Sequence, residues 1–384
     1  MIYLFPFILS LFFLIKFDFN KKITGANFCY NLLLIVLILI AGLRYKVGGD
    51  SLNYFEYFDE IPYLNALPNY DFINSPYDPF WIALSSISKT LINDFAFFQL
   101  IHAVIINTII FWFIKKYTGF RFTAVFLYVC GAYLYFNMEI MRESLAICVF
   151  LLAYPSFREK KWLKYYVIAI VAFLFHSSAI ILFLFPLLRY VKMNLFNVLM
   201  IGLVFIISIY FKQIIGLVLF TSRISEKFNT YSNLQLNIFG IISNFLFYCL
   251  IPFVVIRLNN SLNRFESKFE ELIFLYFFLA MVFLYIPGFA RFLNYLTPFL
   301  LIYLGDFINN IMNDKKLIKV KFLYVTMVFF LISFSKIQYY LIDTSKSVKD
   351  THQYNLWYPY SSVFEKEEYR YRELIFQDGL NNTE

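Results

Sequence analysis

Long apolar runs alternate with short polar joints along almost the whole chain. A helix that crosses a membrane needs about 20 mostly apolar residues, and runs close to that length recur here. The runs lie near residues 2–17, 26–43, 95–114, 121–137, 140–157, 195–220, 238–256, 271–287, 293–312 and 322–340. The pattern predicts an all-α polytopic integral membrane protein, with longer polar segments at 44–94, 221–237 and 341–384.

One further apolar stretch, between Lys164 and Arg189, is interrupted only at His176-Ser177-Ser178. Basic residues flank this stretch on both sides, and a single crossing would place the two basic groups on opposite sides of the membrane. A hairpin of two short helices with His176 at its tip keeps both groups on one side. The pattern therefore favours the hairpin and predicts about 10–12 transmembrane helices in one domain over residues 1–340, followed by a tail at 341–384.

The composition agrees with a membrane protein, because 61% of the 384 residues are hydrophobic and only 15% are charged. Soluble domains are roughly 45–50% apolar and about 25% charged. A cytosolic enzyme, a DNA-binding protein and a disordered protein are therefore excluded. The cysteines and histidines show no metal-ligand spacing, so we expect neither a metal, nor a cofactor, nor a nucleic-acid partner.

The lysine and arginine residues orient the chain, because cytoplasmic joints of membrane proteins carry an excess of both. If Lys16, Lys21 and Lys22 are cytoplasmic, most other basic joints fall on that same side, near 115–121, 158–164, 189–192, 257–268 and 315–321. Both termini, the loops 44–94 and 221–237, and the tail are then predicted to be extracytoplasmic.

This orientation gathers the unusual polar residues on the outer face. Three arginines from separate helix ends suit a phosphate or diphosphate, since guanidinium binds such oxygens bidentately. No nucleotide supply exists outside a bacterial inner membrane, so the phosphate would belong to a lipid carrier. A carboxylate or histidine nearby could deprotonate an acceptor hydroxyl. The candidates are Arg142, Arg291 and then Arg44 for the phosphate, Asp50 and His176 for the base, Glu139 and Glu143 for holding Arg142, and Tyr54, Trp357 and Tyr360 for the glycan.

Structural roles remain open for several of these residues. Arg44 at a helix end could extend to lipid head groups. Asp50 could simply form the turn after Gly48-Gly49. Glu139, Arg142 and Glu143 stand at i, i+3 and i+4, so they could pair on one helix face. His176 could be only a polar turn residue.

These residues also carry a family resemblance. The chain resembles the EpsG-like group of Wzy-type polysaccharide polymerases at Arg44-Tyr-Lys-Val-Gly-Gly-Asp50-Ser-Leu-Asn-Tyr54, where that family typically reads R-x-x-G-T-D-x-x-x-Y. Gly49 departs from this pattern, because a threonine is common there. The other matching positions are Asp78-Pro79-Phe80, Arg142 with Leu145-Ala146, Phe175-His176-Ser177-Ser178-Ala179, Arg291 with Tyr295, and Tyr358-Pro359-Tyr360-Ser-Ser-Val-Phe364.

The resemblance implies a GT-C-like fold and a repeat-unit polymerase of the bacterial inner membrane. Such an enzyme moves a growing glycan from undecaprenyl diphosphate onto the next lipid-linked repeat unit, at the outer face, without metal or nucleotide sugar. The product would be O-antigen, capsule or exopolysaccharide. The implied partners are undecaprenyl-diphosphate-linked glycans, membrane lipid, a chain-length regulator and a flippase.

Three alternatives compete with the polymerase. A membrane acyltransferase would usually place its histidine in a His-plus-Asp motif, whereas His176 is followed by Ser177-Ser178. An O-antigen ligase usually carries one large outer loop late in the chain, whereas the longest outer loop between predicted spans here comes early, at 44–94. A flippase or transporter of lipid-linked glycan should place charges along a path through the membrane. The predicted charges concentrate on one face instead, and the sequence shows no inverted repeat.

Overall fold

In the computed structural model of the protein, residues 2–190, 242, 245–250, 269–284, 287–313 and 351–381 are described. Within these ranges the regular elements are helices, as the apolar pattern predicts, and the one β-type pairing is an isolated antiparallel bridge between Arg44 and Ser362. The predicted spans at 195–220 and 322–340 and the predicted loop at 221–237 lie outside the described residues. The chain divides into two compact units, Met1–Ile180 with Ile332–Glu384, and Ile181–Leu331.

The helices follow the apolar runs closely. In the first unit they are α1 (Leu4–Phe13), which continues as a π-helical segment at Leu14–Phe19, α2 (Ala26–Gly42), α3 (Ser51–Phe58), α4 (Pro79–Leu91), α5 (Phe95–Tyr117), α6 (Arg121–Gly131), α7 (Met141–Arg158) and α8 (Trp162–Phe175). The second unit contributes α9 (Glu270–Phe283) and α10 (Ala290–Asn313), and α11 (Arg370–Asn381) lies in the tail of the first unit.

Local sequence explains where several helices begin and end. Pro79 occupies the first turn of α4, where its missing N–H costs no hydrogen bond. The Asp94 side chain caps α5 by accepting from the Ala96 N–H at 2.8 Å. His176 is extended, at φ −159° and ψ 130°, so α8 ends at Phe175 and a 3₁₀ helix follows at Ser177–Tyr190. Helix α8 therefore ends at the polar interruption that the sequence marks, while the hairpin with His176 at its tip stays a prediction.

The helices of the first unit form an antiparallel bundle around α5. Helix α5 packs against α2 and α7, α7 packs against α8, and α1 packs against α6. A buried amide network stabilises the short π-helical segment at Tyr135–Glu139, because Asn107 donates to the Asn137 side chain at 2.8 Å and Tyr128 donates to Asn107 at 3.0 Å. This segment leads directly into the start of α7.

The two ends of the bundle differ in chemistry. One end, called the site end here, gathers Tyr3, the start of the 44–94 loop, the start of α7 and the tail. At the opposite end, called the basic end, Asp18 accepts from the backbone N–H of Thr123 at 2.7 Å and from its hydroxyl at 2.8 Å. The described basic end carries Lys16, Lys21, Lys22, Lys115, Lys116, Arg121, Arg158, Lys160 and Lys161. These are residues whose positions predict a cytoplasmic face.

The outer surface of the bundle is apolar at helical spacing. Large apolar side chains are exposed at Leu4, Ile8, Phe12 and Ile15, at Phe28, Ile35 and Leu39, and at Leu163, Val167 and Ile170. A helix on the surface of a water-soluble protein places polar residues on that face. Of the described helices, Phe95–Tyr117 is long and apolar enough by length and composition to cross a membrane, while Ala26–Gly42, Arg121–Gly131, Trp162–Phe175, Ser177–Leu187 and Glu271–Ala280 are apolar but shorter.

Candidate functional site

Arg142 lies at the site end as the second residue of α7. Its Nη1 donates to the Asp78 carboxylate at 3.1 Å, its Nε donates to the Tyr54 hydroxyl at 3.4 Å, and its guanidinium lies 4.6 Å from the centre of the Tyr77 ring. The Arg142 and Asp78 side chains each keep 21% of their surface exposed. These contacts fix the orientation of the Arg142 guanidinium, while part of its surface remains accessible to a ligand.

Aromatic rings surround Arg142, and these rings pack against the helices of the bundle. Tyr54 contacts Trp81 at 4.8 Å between ring centres, and Tyr57 meets Tyr77 edge-on at 4.4 Å. Trp81 is buried and packs against Phe98 of α5 at 4.8 Å. The aromatic wall around Arg142 therefore rests on the helix core, while Tyr57 and Tyr77 remain half-buried at its edge.

Asp50 shares this site. It is exposed at the start of α3 and interacts electrostatically with both Tyr54 and Tyr77. Burial raises the pKa of Tyr54 and of Tyr77, and the charge of Arg142 offsets this only in part. Both phenols therefore keep their protons at neutral pH and remain hydrogen-bond donors. Asp50, Tyr54 and Arg142, all predicted from the sequence, come together.

Glu139 connects the glycine turn to the start of α7. Its carboxylate accepts from the Gly49 N–H at 2.5 Å, and a Cβ at position 49 would lie 2.4 Å from that carboxylate. Gly48 has φ +112°, and a Cβ there would lie 2.6 Å from the Met138 carbonyl oxygen. The close approach accounts for the glycines at positions 48 and 49, and through its hydrogen bond to Gly49 the Glu139 side chain stabilises the loop.

Arg44 lies inside the fold, where it is fully buried. Its guanidinium donates to the carbonyl oxygens of Ala41 and Val47 and, at 3.2 Å, to the Ser51 hydroxyl. Burial lowers the pKa of Arg44 to about 10, which leaves it charged at neutral pH. This placement favours a structural role, that of holding the turn between α2 and α3, over the predicted contact with substrate.

The tail folds back onto the same turn. Tyr45 donates its N–H to Ser361, and Gly48 donates to Leu356, each at 2.9 Å. Trp357, predicted to line a glycan path, is 4% exposed in a cluster with Val47, Met138, Leu356 and Ile375. Tyr360, given the same predicted role, donates its hydroxyl to the Ile40 carbonyl at 3.1 Å. Both side chains brace the loop in this structure.

His176 and Glu143 are also buried near the site end. The Nδ1 of His176 lies 2.6 Å from the Ser178 hydroxyl and 3.2 Å from the Ser178 backbone N–H, so it caps the following 3₁₀ helix. Phe175 meets Phe80 at 5.5 Å, which places the histidine tip beside the start of α4. Glu143 is 1% exposed in the first turn of α7. The described ion pair of Arg142 is with Asp78, whereas sequence analysis expects Glu139 and Glu143 to hold it.

Arg291 belongs to the second unit. It is half-buried and is the second residue of α10, directly after a 3₁₀ turn at Pro287–Phe289. Arg142 holds the same position in α7. The first turn of a helix presents free N–H groups and a positive dipole end, so an arginine at this position adds to a site that already favours anions.

Sequence reasoning missed two contributors to the site, Asp78 and Tyr77. The sequence did contain a signal, because Asp78-Pro79 marks a helix start and belongs to the family resemblance. Among the described residues, no group of three or more His, Cys, Asp or Glu side chains is placed to hold a metal ion.

The fold and the site together define an all-helical protein that presents a partly exposed arginine, framed by tyrosines and carboxylates, at one end of a bundle. The EpsG family model matches residues 27–362, and the chain belongs to the EpsG family. Membership is consistent with a role in polysaccharide biosynthesis. No curated protein and no solved structure matches the chain.

Proposed function

We propose that this protein is a polymerase of lipid-linked glycan repeat units in a bacterial inner membrane. It would transfer a growing glycan from undecaprenyl diphosphate to a sugar hydroxyl of the next lipid-linked repeat unit. The observation that carries this proposal is Arg142, a partly exposed guanidinium at a helix N-terminus that is framed by Tyr54, Tyr77 and Asp78. Such a group suits the diphosphate of a lipid carrier.

The surface of the bundle supports the membrane setting. Exposed apolar side chains on α1, α2 and α8 suit hydrocarbon better than water. The lysines and arginines named above for the basic end lie opposite Arg142, whereas Arg44, Lys46, Lys89, Lys366, Arg370 and Arg372 of the first unit lie elsewhere. Under the positive-inside rule the basic end is cytoplasmic and the site end faces outward, where lipid-linked repeat units are polymerised.

The chemistry assigns one task to each group. Arg142 would bind the diphosphate and stabilise the charge that develops as its bond to the glycan breaks. Asp50 would take the proton from the acceptor hydroxyl as that oxygen bonds to the anomeric carbon. His176 is the alternative base, but its Nδ1 is already engaged by Ser178. The leaving diphosphate supplies the driving force, so no nucleotide sugar is needed.

Deletion of the gene in its native host tests the proposed function. A polymerase predicts surface glycan that carries one repeat unit in place of the usual ladder of lengths, restored by a plasmid copy. Loss of glycan from the final acceptor, with long chains still attached to the lipid carrier, would indicate a ligase. Accumulation of single lipid-linked units on the cytoplasmic side would indicate a flippase. Either of these results would contradict the proposal.

A further inference from the structure

The aspartate at the start of α4 does not use its side chain in the ordinary way. Asp78 is the N-cap residue of α4, with extended backbone at φ −73° and ψ 149°, yet its side chain makes no capping hydrogen bond. Capping by aspartate usually contributes to helix stability. Asp94, at the start of α5 in the same region, does cap its helix. The Asp78 carboxylate binds the Nη1 of Arg142 instead.

The contacts of Arg142 leave one edge of the guanidinium available. Nη1 binds Asp78, Nε binds the Tyr54 hydroxyl, and Tyr77 covers one face of the guanidinium. Nη2 has no hydrogen-bond partner among the residues that the structure describes. Because a guanidinium is planar and rigid, fixing Nε and Nη1 also fixes the direction of Nη2. The open edge is therefore defined by its neighbours.

We propose that Asp78 is a positioning residue, which holds the Arg142 guanidinium so that its Nη2 edge meets the diphosphate of the lipid-linked donor. The inference rests on the proposed function and adds a residue to it. Asp78 acts through Arg142, while Tyr54 and Tyr77 complete the frame. A carboxylate beside an anion site repels the anion, so its presence there is useful only if the orientation it imposes outweighs that repulsion.

Asp78 could position Arg142 or could only balance its charge, and the two roles give opposite predictions. If Asp78 positions Arg142, then Asp78→Asn should weaken inhibition by inorganic pyrophosphate and slow polymerisation, each about tenfold, because a charge-assisted hydrogen bond is lost. If Asp78 only balances the charge of Arg142, the same variant should bind pyrophosphate more tightly. Asp78 makes no capping hydrogen bond that the substitution could remove, and asparagine suits the N-cap position as well as aspartate, so α4 keeps its start.

The test uses the full-length protein in membrane vesicles that contain lipid-linked repeat units, with pyrophosphate as the competing probe. Asp78→Glu keeps the charge but moves the carboxylate by one methylene, so positioning predicts impairment here too, and this variant decides the question if Asp78→Asn is absent from the membrane. Asp94→Asn is the matched control and should change neither quantity more than about twofold, since asparagine also caps.

A double-mutant cycle then identifies the residue through which Asp78 acts. In an Arg142→Ala background, Asp78→Asn should cause less than about a twofold further loss, because its effect requires Arg142. Full activity in both Asp78→Asn and Asp78→Glu, tighter pyrophosphate binding in Asp78→Asn, or additive losses in the cycle would each overturn the positioning role. Absence of polymerisation in vesicles that contain the unsubstituted protein would instead contradict the proposed function itself, so the two failures are distinguishable.

Discussion

Two adjacent glycines allow the 44–50 turn to approach the start of α7. Gly48→Ala would place a methyl group 2.6 Å from the Met138 carbonyl oxygen at a φ of +112°. We expect a loss of roughly 1–3 kcal/mol in stability, because neither the backbone conformation nor the backbone contact can relax cheaply. Thermal unfolding of the detergent-purified protein measures this loss.

Gly119→Ala is the matched control for that prediction. Nothing lies within 4 Å of a Cβ at position 119, which is at the basic end of the bundle. Its melting temperature should match that of the unsubstituted protein. An unchanged melting temperature in Gly48→Ala as well would show that the turn does not pack against Met138 as described.

At the residue scale, the sequence predicts all three arginines as phosphate ligands, with Arg44 third, but cannot show which of them is buried. Arg44 and Arg142 both stand at ends of apolar runs, and both belong to the family resemblance. The structure separates them by burial, because Arg44 donates to carbonyls inside the fold while Arg142 keeps an exposed edge. That distinction depends on tertiary neighbours such as Val47 and Asp78, which no local pattern specifies.

At the scale of elements, the tail acts as a strap across the site end. Arg372 of α11 is buried and donates to the carbonyl oxygens of Asn355 and Lys46 at 3.2 and 2.9 Å, and also to that of Pro359. Arg372→Ala removes hydrogen bonds that are each worth about 1.5–3 kcal/mol. We expect faster proteolysis within residues 351–369, followed over time by gel electrophoresis.

Arg370→Ala tests whether that effect is specific. Arg370 is exposed in the same helix, so its loss should change the proteolysis rate little. Equal protection of the tail in Arg372→Ala and in the unsubstituted protein would mean that the strap does not depend on this arginine.

The elements themselves were predictable to different degrees. The end of α8 at Phe175 coincides with the single polar interruption that the sequence marks at His176. Helices α3 and α4 lie inside the segment 44–94, where the apolar pattern indicates only a loop. Both helices are short, and their buried side chains pack against α5, as Trp81 does against Phe98. The spacing of apolar residues alone therefore could not predict them.

At the scale of the whole molecule, the proposed function requires that the site end face outward from the membrane and the basic end face the cytoplasm. Single cysteines at Asn65 and Phe364 should react with an impermeant thiol reagent in intact spheroplasts, after the four native cysteines are replaced by serine. Cysteines at Lys22 and Glu159 should react only after lysis. All four positions are exposed, so accessibility depends on the side of the membrane. Labelling of Lys22 or Glu159 positions from outside would reverse the topology.

The overall class of the molecule was the easiest property to predict, since it depends on composition and run length summed over the chain. The division into two units was not predictable, because no linker composition marks residue 180. Tyr3, the 44–50 turn and the tail come together at one end although they lie far apart in the sequence.

The most direct test of the central claim compares two arginines of one helix. Arg142 begins α7 at the site end, and Arg158 ends it at the basic end. Arg→Lys keeps the charge but loses the planar fork that binds a diphosphate bidentately. The measurement is the chain-length distribution of surface glycan in a deletion host that expresses each variant at equal membrane abundance. We predict that Arg142→Lys shortens the ladder, with a rate loss of roughly ten- to a hundredfold, while Arg158→Lys leaves it unchanged. A normal ladder in both Arg142→Lys and Arg142→Ala would contradict the assignment of Arg142 to the diphosphate.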